Sequence, residues 1–367
     1  MPKAEQNVLV LQGGGALGAY QGGAYEQLSL SGIEIDWVAG ISIGAINAAI
    51  ICGNPAGTRV ARLRAFWEEI TSDLTFTPWM WGAKPRSMYS EMAAAEVALA
   101  GAPGFFRPRP PVALWPLAPH PALSFYDTAP LEATLNELVD FDYLNDKGPR
   151  LSVGATDIET GNFAYFDSAR KRIDARHIMA SGALPPGFPP VGIDGHHYWD
   201  GGLVSNTPLQ YVMENAGTAP LCIFQIDLFS ARGEMPGDIA DVQQREKDIR
   251  YSSRTRLTTD RYRHLHQLRA AAERLAAKLP KEMRSDPDLA LLREAGPDCP
   301  VTLVHLIHRK EGFEGISKDY EFSRLSMTEH WTAGSADVDR TLAHKTWKSR
   351  EVGKDGLQVF DLGARNT

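Results

Sequence analysis

Short apolar runs that stop at glycines alternate, through the first half of the chain, with longer stretches whose apolar residues recur every three or four positions. Residues 7–12, Asn-Val-Leu-Val-Leu-Gln, are a β-branched and leucine run of the kind that becomes a parallel strand buried on both faces. A glycine turn follows, and Ala16 to Leu30 has helical spacing with Ala24 and Leu28 on one side, ended by Ser31-Gly32. Trp37 to Gly40 predicts a second strand, and Ala45 to Cys52 an apolar helix closed by Gly53-Asn54-Pro55. Further strands are predicted over Arg150 to Ala155, Pro220 to Asp227 and Pro300 to His308. Strands that alternate with helices in this way imply an α/β fold, its parallel sheet covered on both faces.

Two stretches break that rhythm. Residues 75–130 are proline-rich, with Trp79, Trp81, Phe105, Phe106 and Trp115 set among Pro108, Pro110, Pro111, Pro116, Pro119 and Pro121. Few regular elements are expected there. A long irregular insertion with this aromatic load is either a packed loop or a lid or wall over an apolar ligand. Farther on, Leu265, Leu268, Ala272, Leu275 and Leu279 mark the seam of an amphipathic helix that Pro280 stops. This seam packs on the core or a second subunit, or else its arginines dock on anionic lipid. The divisions expected are a catalytic α/β domain at 1–230, a helical basic segment at 231–299, a returning strand and helix of the core at 300–346, and a polar tail at 347–367.

Composition narrows the partners. The 367 residues carry a formal charge of −7, which weighs against nucleic acid, yet between Arg245 and Lys281 eleven Lys or Arg face four Asp or Glu. Cys52, Cys222 and Cys299 show no metal-binding or redox spacing and read as reduced thiols. The first residues lack the pattern of a secretory leader, and no long apolar window spans a bilayer, so a cytoplasmic protein is expected, with peripheral contact at the inner membrane surface and self-association left open.

Three motifs carry chemistry. Gly40-Ile41-Ser42-Ile43-Gly44 is a Gly-x-Ser-x-Gly pentapeptide between a predicted strand and helix, where a sharp turn exposes the serine hydroxyl at the positive end of the helix. Gly13-Gly14-Gly15-Ala16-Leu17-Gly18 also joins strand to helix; its amides are suited either to a phosphate or to the oxyanion of acyl transfer. Gly13, Gly15 and Gly18 also fit a dinucleotide fingerprint, which on its own is weak. Tyr198-Trp199-Asp200-Gly201-Gly202 holds a carboxylate before two glycines. Asp157 reads as a turn-former rather than a catalytic group.

In this order, glycine loop, GxSxG and then DGG, the chain resembles the patatin-like phospholipases. The resemblance extends to Ala180-Ser181-Gly182-Ala183-Leu184-Pro185-Pro186-Gly187-Phe188-Pro189-Pro190 and to Leu203-Val204-Ser205-Asn206-Thr207-Pro208 after the DGG, and covers roughly residues 7–228. It implies a three-layer α/β/α sandwich with a mainly parallel central sheet and a helical extension. It also implies a catalytic dyad of Ser42 and Asp200 without histidine, an oxyanion hole from Gly13, Gly14 and Gly15, and supporting roles for Gly18, Gly40, Gly44, Gly201 and Gly202. Leu17 departs from the family, whose loop often has Arg or Lys there.

The activity expected is hydrolysis of lipid or other acyl esters by an acyl-enzyme route that needs no cofactor and no metal. Asp200 must lose water to serve as a base, since an exposed aspartate titrates at about 3.9. A Ser-His-Asp esterase or polyester depolymerase, with His305 or His308 as its base, is the alternative, and His177, His196 and His197 are weighed beside them. A nucleotide-binding oxidoreductase and a noncatalytic lipid-binding protein are the rivals from other classes.

Overall fold

The computed structural model describes residues 5–72, 83–110, 122–253, 255–293, 299–309, 314–353 and 356–362. Its strands are β1 (Gln6–Leu11), β2 (Trp37–Ile41), β3 (Arg107–Pro108), β4 (Tyr126–Asp127), β5 (Arg150–Asp157), β6 (Phe163–Asp167), β7 (Val191–Ile193), β8 (His196–Asp200), β9 (Leu221–Asp227), β10 (Val301–Ile307) and β11 (Leu357–Phe360). The helices are α1 (Ala19–Leu30), α2 (Ile43–Cys52), α3 (Arg59–Ile70), α4 (Ala83–Ala100), α5 (Ala129–Leu138), α6 (Phe141–Asp146), α7 (Ala175–Ser181), α8 (Leu209–Glu214), α9 (Ile239–Tyr251), α10 (Thr255–Ala276), α11 (Pro287–Arg293), α12 (Arg324–Ala343) and α13 (Lys345–Lys348).

Among the described residues, nine strands form one sheet in the order β11-β10-β9-β1-β2-β5-β8-β7, with β6 also paired to β5. From β11 to β5 every pairing is parallel; β6, β7 and β8 add an antiparallel margin. Because strand residues alternate faces, Leu9, Leu11, Val38, Val153 and Phe224 enter one core with residues of α1, α2, α3 and α12. Val8, Val10, Trp37 and Ile223 enter a second with Tyr211 and Val212 of α8 and Tyr262 of α10. The sheet thus lies between two helical layers, a three-layer α/β/α sandwich.

Three expectations differ from what forms. Residues 75–130, expected to be poor in regular structure, contain the 18-residue α4. Its run of alanines and its Glu, Met and Leu residues have high helix propensity, which outweighs the prolines on either side. Trp79, Trp81, Trp115, Pro111, Pro116, Pro119 and Pro121 lie outside the described residues. The polar tail supplies the edge strand β11, paired with β10 from Val301↔Leu357 to Val304↔Phe360. The seam of α10 divides: Leu265 packs on the sheet-side core and Ala272, Ala276 and Leu279 gather around Leu289 of α11, while Leu268 and Leu275 are exposed.

Candidate active site

β2 runs through the middle of the sheet and delivers Ser42 at its carboxyl end, where ligands bind in open parallel sheets. Ser42 has φ 54° and ψ −124°, outside the regions that non-glycine residues prefer, and α2 begins at the next residue. The pentapeptide's glycines permit the turn: a Cβ on Gly44 would stand 2.4 Å from the Leu11 carbonyl oxygen, with backbone that cannot yield. The Ser42 amide donates to Ser181 Oγ at 2.9 Å, and Ser181 Oγ donates to the Gly154 carbonyl at 2.6 Å, so α7 and β5 hold the turn from outside.

Asp200 ends β8, opposite Ala155 of β5, and is 3% exposed. Its amide donates to the Ala183 carbonyl at 3.0 Å and its carbonyl accepts from Thr156 Oγ1 at 3.0 Å, which fixes the backbone on both sides. Burial pushes the carboxyl up to about 6, against the lowering effect of hydrogen bonds from the Ser42 side chain and the Gly202 amide. The Gly202 bond to Oδ1 is 2.7 Å. Gly201 passes close to the Gly154 carbonyl.

The glycine loop lies beside Ser42. Gly13 donates its amide to the Asn206 carbonyl at 3.2 Å and accepts from Asn206 Nδ2 at 3.0 Å, so Gly13 anchors the loop and its N–H is already engaged. That removes Gly13 from the free donors expected of the three glycines. No described residue accepts from the amides of Gly14 or Gly15. Gly15 has φ 53°, and a Cβ there would fall 2.0 Å from the Asp319 carbonyl oxygen, which accepts the Ala16 amide at 2.8 Å. Gly18 faces Ile43 and Trp67, and Leu17 is fully buried in the core, an environment that suits leucine and not a basic side chain.

A cavity of about 490 Å³ opens in front of these groups, lined by Ser42, Asp200 and the three glycines at one end and by Phe105, Phe106, Tyr126, Phe188 and Phe322 farther in. Phe106 meets Tyr126 at 4.9 Å and Phe188 at 5.1 Å between ring centroids, a continuous aromatic wall. Of the expected aromatics, Phe105 and Phe106 line it. Among the described residues, no histidine lines it. His177 caps α7 through Asp174, His196 and His197 meet Asp157 and Glu159, His305 is buried beside Asp227, and His308 bonds Glu314. Burial pushes the His305 imidazole down to about 4. Asp157 accepts from the Thr160 amide and hydroxyl at 2.8 Å each, as a turn-former does.

Sequence reasoning missed several contributors. Ser181 and Asn206 stand inside the motifs and carry the geometry of the turn and the loop; a polar residue embedded in each motif was the available signal. Asp319, Tyr320 and Phe322 come from a segment after β10 with no local pattern to mark them.

A family model described as patatin-like phospholipase matches residues 9–213, and one described as patatin phospholipase matches residues 249–354. No curated protein matches the sequence. Among solved structures, VipD from Legionella pneumophila is 12% identical, with 92% of this chain and 66% of that one covered and a TM-score of 0.39. Human GIVD cytosolic phospholipase A2 is likewise 12% identical, with 92% and 60% covered and a TM-score of 0.39. This chain therefore spans about three fifths to two thirds of the length of those two.

Proposed function

The chain belongs to the patatin-like phospholipase family, and from that premise we propose that it hydrolyses carboxyl esters with an aliphatic acyl chain, using Ser42 as nucleophile and Asp200 as base. One observation carries the proposal: a buried carboxyl, raised toward neutrality, accepts a hydrogen bond from the side chain of a strained serine at the head of an apolar cavity. Asp200 takes the Ser42 proton as Oγ attacks the ester carbonyl, and the carbonyl oxygen becomes an oxyanion. The amides of Gly14 and Gly15, preorganised and without other acceptors among the described residues, are the donors for it. Collapse breaks the ester C–O bond; the alcohol leaves with the proton from Asp200, and Ser42 holds the acyl group. Water then gives its proton to Asp200, attacks the acyl carbon, and releases the fatty acid while Ser42 recovers its proton.

The aromatic wall favours an apolar acyl group, lying along Phe106 and Phe188, in a cavity of a size usual for such ligands. No described helix is long and apolar enough to cross a membrane. We place the enzyme in the cytoplasm, acting on lipid or oligomeric ester at a surface.

Hydrolysis of p-nitrophenyl esters of graded chain length by wild type, Ser42→Ala and Asp200→Ala tests the assignment. Turnover is expected to fall by at least about a thousandfold in both variants with the fold retained; turnover unchanged in Ser42→Ala discards the assignment.

A further inference from the structure

A second constellation lies away from the cavity. His308 follows β10, Glu314 lies in the stretch between β10 and α12, and His330 lies on α12 itself. Their side chains are only 2%, 3% and 4% exposed. Both imidazoles turn Nε2 toward one atom, Glu314 Oε1, at 3.0 Å each, and His308 Nε2 is also 3.3 Å from Oε2. The two rings stand 79° apart with centroids 5.1 Å distant, so they approach the carboxylate from different directions.

A buried carboxylate calls for a cation or for donors that face it, and here the two imidazoles are what faces it. Among the described residues, two neighbouring cations pair elsewhere: Lys318 with Asp248 at 2.8 Å and Arg86 with Glu329 at 2.6 Å. His330 Nδ1 is buried without a partner among the described residues. Two imidazoles and one carboxylate are a donor set that binds zinc, and the 3.0 Å N···O separations are a few tenths of an ångström below the ~3.3 Å edge of a tetrahedron with bonds of about 2.0–2.1 Å. A cavity of about 10 Å³, roughly the room one water needs, adjoins Glu314 and His330.

We propose that His308, Glu314 and His330 bind one divalent cation of the zinc class, with a water in the adjoining cavity as fourth ligand. The site is structural. The stretch from Glu314 to α12 brings Asp319, Tyr320 and Phe322 to the cavity beside Ser42, and the Asp319 carbonyl receives the Ala16 amide behind the glycine loop. A cation joining His308, Glu314 and His330 ties that segment to β10 and α12.

The full-length protein, stripped with a chelator and desalted, is titrated with Zn²⁺ against a chromophoric chelator, wild type beside His330→Ala and Glu314→Gln. Wild type is expected to hold one equivalent, with affinity at least about tenfold lower in both variants, and its thermal midpoint to rise with Zn²⁺ while theirs does not. Co²⁺-loaded wild type needs no variant and should show the intense visible absorption of a four-coordinate N/O site. Absence of stoichiometric uptake by wild type, equal uptake by all three proteins, or the weak absorption of a six-coordinate ion overturns the proposal. None of these readouts depends on ester hydrolysis, so the site stands or falls separately from the Ser42 and Asp200 assignment.

Discussion

A carboxylate works as a base near neutrality only when water is kept from it, and Asp200 meets that condition through its position. The carboxyl is pushed up from 3.8 to about 6 by burial, in spite of two hydrogen bonds that favour its ionised form. The acid limb of kcat/KM for ester hydrolysis is therefore expected near pH 6, with activity rising as Asp200 loses its proton; a limb near 4 contradicts the assignment. Linkage gives the same group an opposite effect on stability. Since the folded state holds the proton more tightly, the contribution is favourable below the unfolded value and is lost as pH rises through about 6. Above that, ionised Asp200 costs on the order of 3 kcal/mol. Denaturant titrations should then find Asp200→Asn more stable than wild type above about pH 7 and not at about pH 3. The motif names this aspartate, but its burial depends on β8 lying against β5, which local sequence does not state.

At the scale of elements, the glycine loop between β1 and α1 is determined from both ends of the chain. Its sequence predicts a tight strand-to-helix turn, and the structure has one. What the loop presents is decided by Asn206, which engages Gly13, and by Asp319, whose carbonyl leaves no room for a side chain at Gly15. Gly15→Ala is expected to lower kcat by about a hundredfold, the loss usual for a displaced oxyanion donor, with KM little changed. Steady-state kinetics on a medium-chain ester reads this split; a change confined to KM assigns Gly15 to substrate binding. α4 and α10 show the limits of pattern reading. Alanine-rich α4 is helical despite its proline-rich surroundings, because helix propensity acts over the segment's own residues. Leu268 and Leu275 have seam spacing yet are exposed, because the seam can pack only where a neighbouring element offers a partner.

Across the whole molecule, the segments matched by the two family models interlock where α1 packs on α12, and two ion pairs from α9, whose Lys247 and Asp248 lie between those segments, hold the stretch before α12. Lys247 bonds Asp319 at 2.5 Å, and the buried Lys318 bonds Asp248 at 2.8 Å. Lys318→Met leaves Asp248 buried without its partner and is expected to cost about 3 kcal/mol in urea denaturation, most of it regained in Lys318→Met with Asp248→Leu. Equal losses in the single and double variants contradict that account. The identities of β1, α1, β2, α2 and β5, the serine turn and the aspartate followed by two glycines follow from the sequence alone, because each is specified by neighbours within a few positions. Tertiary structure alone decides that Asp200 meets Ser42, that Asp319 backs the glycine loop, and that β11 borders the sheet. It also decides that His308, Glu314 and His330 converge. These are contacts between distant residues, where packing and exclusion of water, not local spacing, set the chemistry.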